Sequence, residues 1–372
     1  MITILDLISD TNIGGAGRVI LNYLHYTDLE HFRTLVAVPR GSALASPLKK
    51  AGAEVYEVDA MADRSYDKED VKVLTEFIRR VKPDLVHTHG CLSGRIAAKK
   101  CGLPVVYSRH SAFPVPAKLK YPPGRWVNRW LNRHYADKII AVSPATMDNL
   151  VESGVAPDQI TVVMNGVAPL TPTAPEEQAA LKKELGIGPD TVVFGILARI
   201  EEYKGHGLIA QAAQKLKTRG RDFTVLVAGT GQWAGQLDEL VQELDVDDVM
   251  PRLGFRSDVA ALLSILDVQL NASFGTEATS IALLEGMSLS KPSIVSDYGG
   301  NPWLVKDGDN GLVFPSGDSG ALADAMERLM DHPEQRQAMG RRARQVFEQR
   351  FTGQVFARNT EQVYLEVLKG AH

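Results

Sequence analysis

Short apolar segments rich in Val and Ile alternate with longer segments of helical periodicity along this 372-residue chain. The alternation is typical of parallel strands joined by crossover helices, and it restricts the fold more than any other feature. The strand candidates of the first half are Ile2–Ile8, Thr34–Val38, Glu54–Val58, Leu85–His87, Val105–Ser108 and Ile139–Val142. Those of the second half are Val192–Leu197, Thr224–Ala228, Val249–Leu253, Val268–Asn271 and Ser293–Ser296. The sequence therefore predicts an α/β protein with two doubly wound parallel sheets.

Chain length also favours two domains, because one hydrophobic core rarely serves so many residues. Residues 165–175 contain three prolines and several turn residues, which suit an exposed connection. We expect an N-terminal Rossmann-like domain at 1–168 and a C-terminal one at 169–352. The final helical segment, 353–372, has no further strand to reach, so it can pack on either domain, including back on the first. Ligands of such sheets bind beyond the carboxyl ends of the strands, which predicts a site in a central cleft.

The amino-acid composition excludes some classes of binding partner and cellular location. The chain has 41 Lys and Arg against 45 Asp and Glu, so no basic field favours nucleic acid. Its two cysteines, Cys91 and Cys101, are too sparse for a disulfide framework, which favours reduced thiols and a cytoplasmic location. The apolar run Ile2–Ile8 is too short to span a membrane and has no basic leader or cleavage site, so we expect neither export nor a transmembrane segment.

A glycine-rich loop, Asn12–Arg18, follows the first predicted strand. Its backbone N–H groups can approach an anion at the start of a helix. The spacing differs from the dinucleotide fingerprint, since Ile20 stands where a third glycine would be, and this disfavours a nicotinamide dehydrogenase. A turn that only links a strand to a helix is the alternative.

Two cations, Arg199 and Lys204, follow the strand Val192–Leu197. Arg through its planar fork and Lys as a point charge can clamp a diphosphate. The alternative is a pair of surface salt bridges with Glu201 or Glu202.

Two carboxylates, Glu277 and Glu285, stand near a predicted helix start with seven residues between them. With Thr279 or Ser280 as the helix cap, Glu285 is expected about two turns inside the helix. Carboxylates on both sides of a helix N-terminus can bind hydroxyls while the free N–H groups receive phosphate.

Taken in order, these elements resemble family 4 of the retaining glycosyltransferases, which has the GT-B fold. The resemblance covers nearly the whole chain. It rests on Gly14–Arg18, Ser108–His110, Ala136–Ser143, Asn165–Val167, Arg199 with Lys204, Glu277 with Glu285, Gly299–Gly300 and Asp307–Gly311. One departure is that the common Glu-Gly-Phe-Gly stretch is Glu277-Ala-Thr-Ser280 here, which affects how closely the sugar approaches that loop.

The resemblance implies a role for each matched residue. Arg199 and Lys204 would bind the diphosphate, Gly14 and Gly15 would approach it from the other domain, and Glu285 would hold the ribose. Glu277 would contact the donor sugar, and the backbone of Ile281 and Ala282 would meet phosphate. Leu253 and Gly254 would border the base. His110 would be the active-site histidine beside the anomeric centre, although a histidine met by itself is more often a buried core residue.

The implied enzyme is a retaining hexosyltransferase that uses a nucleotide diphosphate sugar as substrate and needs no cofactor. Arg199 and Lys204 can neutralise the leaving diphosphate and no Asp-x-Asp cluster stands at a strand end, so we predict no metal. Two other classes stay open. A sugar-nucleotide epimerase shares the architecture, and a non-catalytic sugar-nucleotide sensor would keep the cations but would not need His110.

The acceptor is suggested by residues 117–135, the most basic and aromatic stretch of the chain. A helix that begins after Pro123 aligns Trp126, Val127, Trp130, Leu131 and His134 along one arc, with three arginines beside it. Such a helix suits an anionic membrane surface on the inner face of the cell membrane and a lipid-linked acceptor of polysaccharide synthesis. The alternatives are an arc that packs on the N-terminal sheet and a small soluble acceptor. The residues assigned to the acceptor or membrane are Arg18, Arg109, Lys118, Lys120, Arg125, Trp126, Arg129, Trp130 and Arg133.

Overall fold

Thirteen strands and sixteen α-helices make up residues 1–370, the part of the chain that this computed structural model describes. The strands of the first sheet are Ile2–Ile8 (β1), Phe32–Pro39 (β2), Glu54–Val58 (β3), Leu85–His89 (β4), Val105–Arg109 (β5), Lys138–Ala141 (β6) and Ile160–Val162 (β7). Those of the second are Val192–Leu197 (β8), Phe223–Ala228 (β9), Arg252–Gly254 (β10), Val268–Asn271 (β11), Ser293–Ser296 (β12) and Gly311–Phe314 (β13).

The helices alternate with the strands and cover both faces of each sheet. Those between β1 and β8 are Gly15–Tyr26 (α1), Ala45–Lys50 (α2), Lys68–Val81 (α3), Leu92–Lys100 (α4), Ala117–Lys120 (α5), Gly124–Tyr135 (α6), Pro144–Glu152 (α7) and Pro175–Glu184 (α8). The remaining ones are His206–Thr218 (α9), Ala234–Glu243 (α10), Val259–Ile265 (α11), Ile281–Ser288 (α12), Asn301–Leu304 (α13), Ser319–Asp331 (α14), Pro333–Arg350 (α15) and Gly353–Gly370 (α16).

Both sheets are parallel throughout and doubly wound. The seven-stranded sheet has the order β3-β2-β1-β4-β5-β6-β7, and the six-stranded sheet has the order β10-β9-β8-β11-β12-β13. In each sheet the order reverses beside its first strand in sequence, β1 or β8, and that switch point is where ligands bind in such folds. The predicted α/β fold class is confirmed.

The chain forms two compact units. The first comprises residues 1–167 and returns for the described residues from 350 onward, and the second comprises residues 168–349. In the first unit α16 packs against the sheet, where Phe356 and Tyr364 join Ile4 and Val106 in one apolar cluster. The second unit has its own core around β8, β9 and α9. Strands that are buried on both faces are nearly continuous apolar runs in the sequence. Most of these strands could therefore be predicted from the sequence.

Two edge strands were not predicted, and among the predicted strands the start of β10 shifts the most. β7 and β13 are short edge strands of three and four residues, and neither was predicted. β10 begins at Arg252, not at Val249. Pro251 has no N–H to donate, and the carbonyls of Val249 and Pro251 accept from β9. The strand pairing follows after the proline, and its register shifts between Arg252 and Gly254.

Candidate active site

The glycine-rich loop after β1 leads directly into α1, as predicted. Gly14 is the N-cap, with no side-chain cap, and a β-carbon added to Gly15 would meet no atom within 4 Å. Gly17 has a different reason to be glycine, since a side chain there would collide with Leu44. The loop therefore leaves open space beside Gly15 at a helix N-terminus. Arg18, in the first turn of α1, is exposed.

A buried polar cluster lies at the carboxyl ends of β1 and β4. Asp6 stands opposite His87 in the parallel register, and His89 follows two residues later on the same face. The Oδ1 atom of Asp6 lies 3.1 Å from His87 Nδ1 and 3.3 Å from His89 Nε2. His87 also contacts the Tyr364 hydroxyl at 2.7 Å through Nδ1 and the Ser108 hydroxyl at 2.8 Å through Nε2.

The cluster extends to His110, which directly follows β5. His110 Nε2 lies 2.8 Å from His89 Nδ1, and the two rings are stacked at an interplanar angle of 17°. His110 Nδ1 is buried and has no hydrogen-bond partner. Arg109, the neighbouring residue, donates from Nε to the Ser111 carbonyl at 3.1 Å. The histidine that the sequence singled out is thus the outer end of a buried chain of imidazoles.

Burial determines the charge state of these groups. Burial alone would raise the pKa of Asp6, but hydrogen bonds from His87 and His89 outweigh it and hold that pKa well below its usual range. Burial lowers the pKa of His87 to about 4. It also lowers the pKa of His110 well below the ordinary value, with further lowering from nearby His89. The cluster combines an ionised carboxylate with neutral imidazoles at His87 and His110 at neutral pH.

Asp6, His87 and His89 are also the one group in residues 1–370 with the side chains and spacing for a shared metal ion, with ligand atoms within 4.8 Å of one another. Both nitrogens of His87 and both of His89 already make hydrogen bonds within the protein. These contacts satisfy the imidazoles without an ion. The prediction that the enzyme needs no metal stays a prediction.

In the second unit, Lys204 and Glu277 form a buried ion pair. Lys204 Nζ lies 2.8 Å from Glu277 Oε2, and the two side chains are 17% and 5% exposed. Asn271 and Ser273 donate to the same oxygen at 3.1 and 3.2 Å. The alternative in which Lys204 pairs with Glu201 or Glu202 is therefore wrong. The structure instead fixes the ammonium group at the end of β8 and β11.

Arg199 lies in the loop between β8 and Lys204, and its side chain is exposed. It donates from Nη2 to the Tyr203 hydroxyl at 3.0 Å. The loop that carries Glu277 also packs on Tyr203, because a side chain at Gly275 would collide with the Tyr203 ring. One tyrosine thus contacts both the predicted diphosphate arginine and the loop of the first carboxylate.

The helix that follows Glu277 begins as predicted, but Glu285 lies nearer to its start than expected. Ser280 is the N-cap of α12, and its hydroxyl accepts from Leu283 N. Ile281 and Ala282 form the first turn, whose N–H groups have no partner inside the helix. Glu285 is the fifth helical residue, and five residues at about 3.6 per turn place it slightly over one turn inside, not two.

The predicted base-binding residues lie at the edge of the second sheet. Leu253 and Gly254 end β10, and Gly254 has a φ of +65°, a left-handed conformation that favours glycine. The Gly254 carbonyl accepts from Gly229 N at 2.8 Å, which ties this end of β10 to the end of β9. The two residues lie at the carboxyl edge where the fold binds ligands.

The basic aromatic helix α6 exposes the arc that amphipathic helices usually bury. Trp126 and Trp130 are 67% and 56% exposed, and Val127 is exposed as well. Its inward face is polar, because Asn128 donates to the Ser153 carbonyl at 2.9 Å and Asn132 accepts from Arg95 at 2.9 Å. The alternative in which the tryptophans pack on the sheet is therefore wrong.

Several cations around α6 already have partners. Arg133 pairs with Asp158 at 2.8 Å, and Lys120 pairs with Glu152 at 2.7 Å. Arg125 donates to the Val151 carbonyl at 3.4 Å. Lys118 and Arg129 are exposed. The surface thus combines exposed indoles with cations that are only partly neutralised by neighbouring acids.

The sequence analysis missed Asp6, His89 and Tyr364. A signal was available for the first two, since Asp6 interrupts an apolar strand and His87 and His89 alternate on one face of another. A buried polar residue on a strand indicates a specific partner. Tyr364 gave no signal, because its contact with His87 joins residues 277 positions apart.

Comparisons with known proteins match a glycosyltransferase family in each half of the chain. The N-terminal residues 13–169 match the family Glycosyltransferase Family 4, and residues 177–346 match the family Glycosyl transferases group 1. The chain is 27% identical over 289 residues to the putative glycosyltransferase EpsD of Bacillus subtilis, covering 73% of this chain and 74% of that protein. It is 29% identical over 310 residues to a D-inositol 3-phosphate glycosyltransferase of Saccharomonospora viridis, covering 77% and 70%.

The fold is also that of solved glycosyltransferases. HepE of Anabaena, whose crystal structure was determined in complex with UDP and glucose, superimposes with a TM-score of 0.84 at 20% identity. The superposition covers 98% of this chain and 100% of HepE. With the two parallel sheets described above, this likeness establishes the GT-B fold that the sequence predicted.

Proposed function

The chain belongs to glycosyltransferase family 4, and we propose that it transfers a hexosyl group from a nucleotide diphosphate sugar to an acceptor hydroxyl with retention at the anomeric carbon. The observation that carries the proposal is the Lys204 ammonium, held 2.8 Å from buried Glu277 where β8 and β11 end. A fixed cation at that edge is suited to the charge that develops on a leaving diphosphate. The exposed guanidinium of Arg199 lies on the same loop.

Donor binding divides among elements of the second unit. Arg199, Lys204 and the first N–H groups of α12 would bind the diphosphate, because each presents positive charge or a backbone donor. Glu285 would accept from the ribose hydroxyls, and Leu253 with Gly254 would border the base. HepE was solved with UDP, which supports a uridine nucleotide as the first donor to test.

In the reaction, the bond between the anomeric carbon and the diphosphate oxygen breaks as the acceptor oxygen bonds to the same face of the sugar. The acceptor proton passes to the leaving phosphate, so no carboxylate nucleophile is required. Glu277 cannot easily serve as one, because its Oε2 already accepts from Lys204, Asn271 and Ser273. Its role in this proposal is to hold Lys204 and to contact the donor sugar. We propose that no metal takes part.

For the acceptor, we propose a lipid or lipid-linked glycan at the inner face of the cell membrane. The support is the exposed apolar arc of α6, with Trp126, Val127 and Trp130 beside arginines. Indoles favour the headgroup level of a bilayer, and arginines favour anionic lipid. None of the helices within residues 1–370 has the length and apolar run that a bilayer crossing needs. Contact would therefore be made by this surface.

The test is a transfer assay with uridine, guanosine and adenosine diphosphate hexoses in turn. Release of nucleoside diphosphate that requires an added membrane extract, with NMR of the purified glycoside, identifies the donor, the acceptor class and the anomeric configuration. An α-linked product from an α-linked donor is expected. Epimerisation of the donor in the absence of acceptor would show that the protein is an isomerase and not a transferase. A β-linked product would show that transfer inverts the anomeric configuration.

A further inference from the structure

The buried chain that connects Asp6, His89 and His110 is not used by the donor-binding proposal. All three residues lie at the carboxyl edge of the first sheet, after or within β1, β4 and β5. His89 bridges the other two, with 3.3 Å from its Nε2 to Asp6 Oδ1 and 2.8 Å from its Nδ1 to His110 Nε2. His110 would be the reactive-site histidine, so the partner of its ring affects the reaction directly.

The positions of the ring hydrogens in the series Asp6, His89 and His110 follow from the chemistry of the Asp6 carboxylate. An ionised carboxylate only accepts, so the hydrogen between Asp6 and His89 belongs to His89 Nε2. An uncharged imidazole has a single ring hydrogen, so a His89 that donates from Nε2 can only accept at Nδ1. His110 Nε2 must then donate, which leaves His110 Nδ1 without a hydrogen. The carboxylate at one end thereby dictates the tautomer at the other.

Two further observations agree with this order. His110 Nδ1 is a buried polar atom with no partner, and an unpaired buried nitrogen costs less as a lone pair than as an orphaned N–H. Burial also lowers the pKa of His110 well below its ordinary value, which keeps the ring uncharged. Among the groups that face the ring, His89, His87 and Arg109 lower its pKa further, whereas Asp6 opposes them by raising it.

We propose that Asp6 and His89 are positioning residues that fix the hydrogen of the uncharged His110 ring at Nε2 and hold the ring in one orientation. The inference rests on the proposed function for its catalytic meaning. An uncharged ring beside the anomeric centre does not repel the positive charge that develops on the sugar, whereas an imidazolium would. A fixed orientation also removes the need to reorganise the ring during transfer.

The direct test is NMR of the full-length protein with ¹⁵N-labelled histidine at neutral and mildly alkaline pH, without substrate. The His110 signals are identified by their loss in His110→Phe. We expect a protonated Nε2 and an unprotonated Nδ1 in the wild type. In His89→Phe the tautomers should mix, while His87→Phe, a matched loss of a buried histidine that also contacts Asp6, should leave the His110 signals in place.

A His110 that carries its hydrogen at Nδ1 in the wild type would overturn the proposal, as would a tautomer that stays fixed in His89→Phe. The wild-type spectrum decides the question even where a variant does not fold. Turnover gives a second measure. His89→Phe should lower kcat by roughly 10–100-fold, the range seen when a partner that orients an active-site ligand is lost, with little change in KM.

The double variant His89→Phe/His110→Phe separates positioning from general damage. If His89 acts through His110, the double variant is no slower than His110→Phe alone. If the two single losses of turnover multiply in the double variant, His89 has a role separate from His110, and the proposal is overturned. The wild-type protein could have the expected tautomer and yet transfer no sugar from any sugar nucleotide. That result would refute the proposed function, whereas the proposed order of hydrogen bonds would still stand.

Discussion

Lys204 and Glu277 are 73 positions apart in the sequence, yet their charged atoms lie 2.8 Å apart in the interior of the second unit. The carboxylate is the more buried partner, and Asn271 and Ser273 orient it from the end of the neighbouring strand. A lysine held in this way loses little further freedom when an anion arrives. The pair therefore makes this lysine better suited than a solvated one to the diphosphate-binding role that we propose for it.

Replacing Lys204 by Ala should lower kcat/KM by roughly 10²–10³, because one donor at a reacting oxyanion contributes about 2.7–4 kcal/mol. Arg199→Lys should also reduce turnover, since it keeps the charge but loses the planar fork. Lys217→Ala is the control, because Lys217 pairs with Asp248 at 2.8 Å in the same unit, away from the strand ends. A folded Lys204→Ala enzyme with normal turnover would exclude Lys204 from the site.

Glu285→Gln should weaken binding of UDP more than Glu277→Gln does. Glu285 would accept from the ribose, whereas a glutamine at 277 still offers an oxygen to Lys204, Asn271 and Ser273. Loss of the 277 charge also leaves Lys204 less neutralised, which favours a bound anion. Isothermal titration of UDP into both variants measures the difference. Equal losses of affinity would contradict this division of roles.

Wild-type protein should bind vesicles of anionic phospholipid at low salt and dissociate from them at high salt. Changing Arg125, Arg129 and Arg133 together to Gln should abolish that binding, since each cation contributes about 1 kcal/mol near such a surface. The control changes the exposed cations Lys72, Arg79 and Arg80 of α3 to Gln. Cosedimentation is the measurement. Equal recovery of the wild type and the α6 variant in the vesicle-free fraction would favour a small soluble acceptor.

Acid should destabilise the fold through buried histidines. Burial lowers the pKa of His206 to about 4, with further lowering from Lys204, and these effects outweigh a backbone hydrogen bond at Glu201 that raises it. Below the unfolded pKa of about 6.5 the unfolded chain binds a proton that the folded chain refuses until about pH 4. Stability is therefore complete above that window and falls as the pH drops through it.

For this reason His206→Leu should make unfolding less dependent on pH. Relative to the wild type, the variant should gain up to about 1.4 kcal/mol for each pH unit below the unfolded pKa. Thermal unfolding at pH 7.5 and 5.5 measures the change, with His332→Ala, an exposed histidine, as the control. An identical loss of stability on acidification in wild type and His206→Leu would refute the assignment.

The strands were predictable because their apolar runs are local, and β1, β3, β8, β11 and β12 have the predicted limits. The edge strands β7 and β13 were not, since a segment of three or four residues owes its conformation to the neighbouring strand.

The same distinction applies to the site. The order of motifs identified Lys204 and Glu277, but not that they form a pair. Helical periodicity aligned Trp126 with Trp130 correctly and could not say which face of α6 points inward. That depends on hydrogen bonds that Asn128 donates and Asn132 accepts, both with residues on other elements, and periodicity does not contain these contacts.

The return of α16 to the first unit has a consequence for the order in which the chain matures during synthesis. The first 167 residues leave the ribosome before Phe356, Val363 and Tyr364, which complete one of their apolar clusters, have been translated. The second unit consists of residues 168–349 alone and does not include later sequence. The unit that is synthesised second can therefore complete its folding first. Until the last helix is made, the nascent N-terminal half exposes an apolar face to chaperones and to other nascent chains.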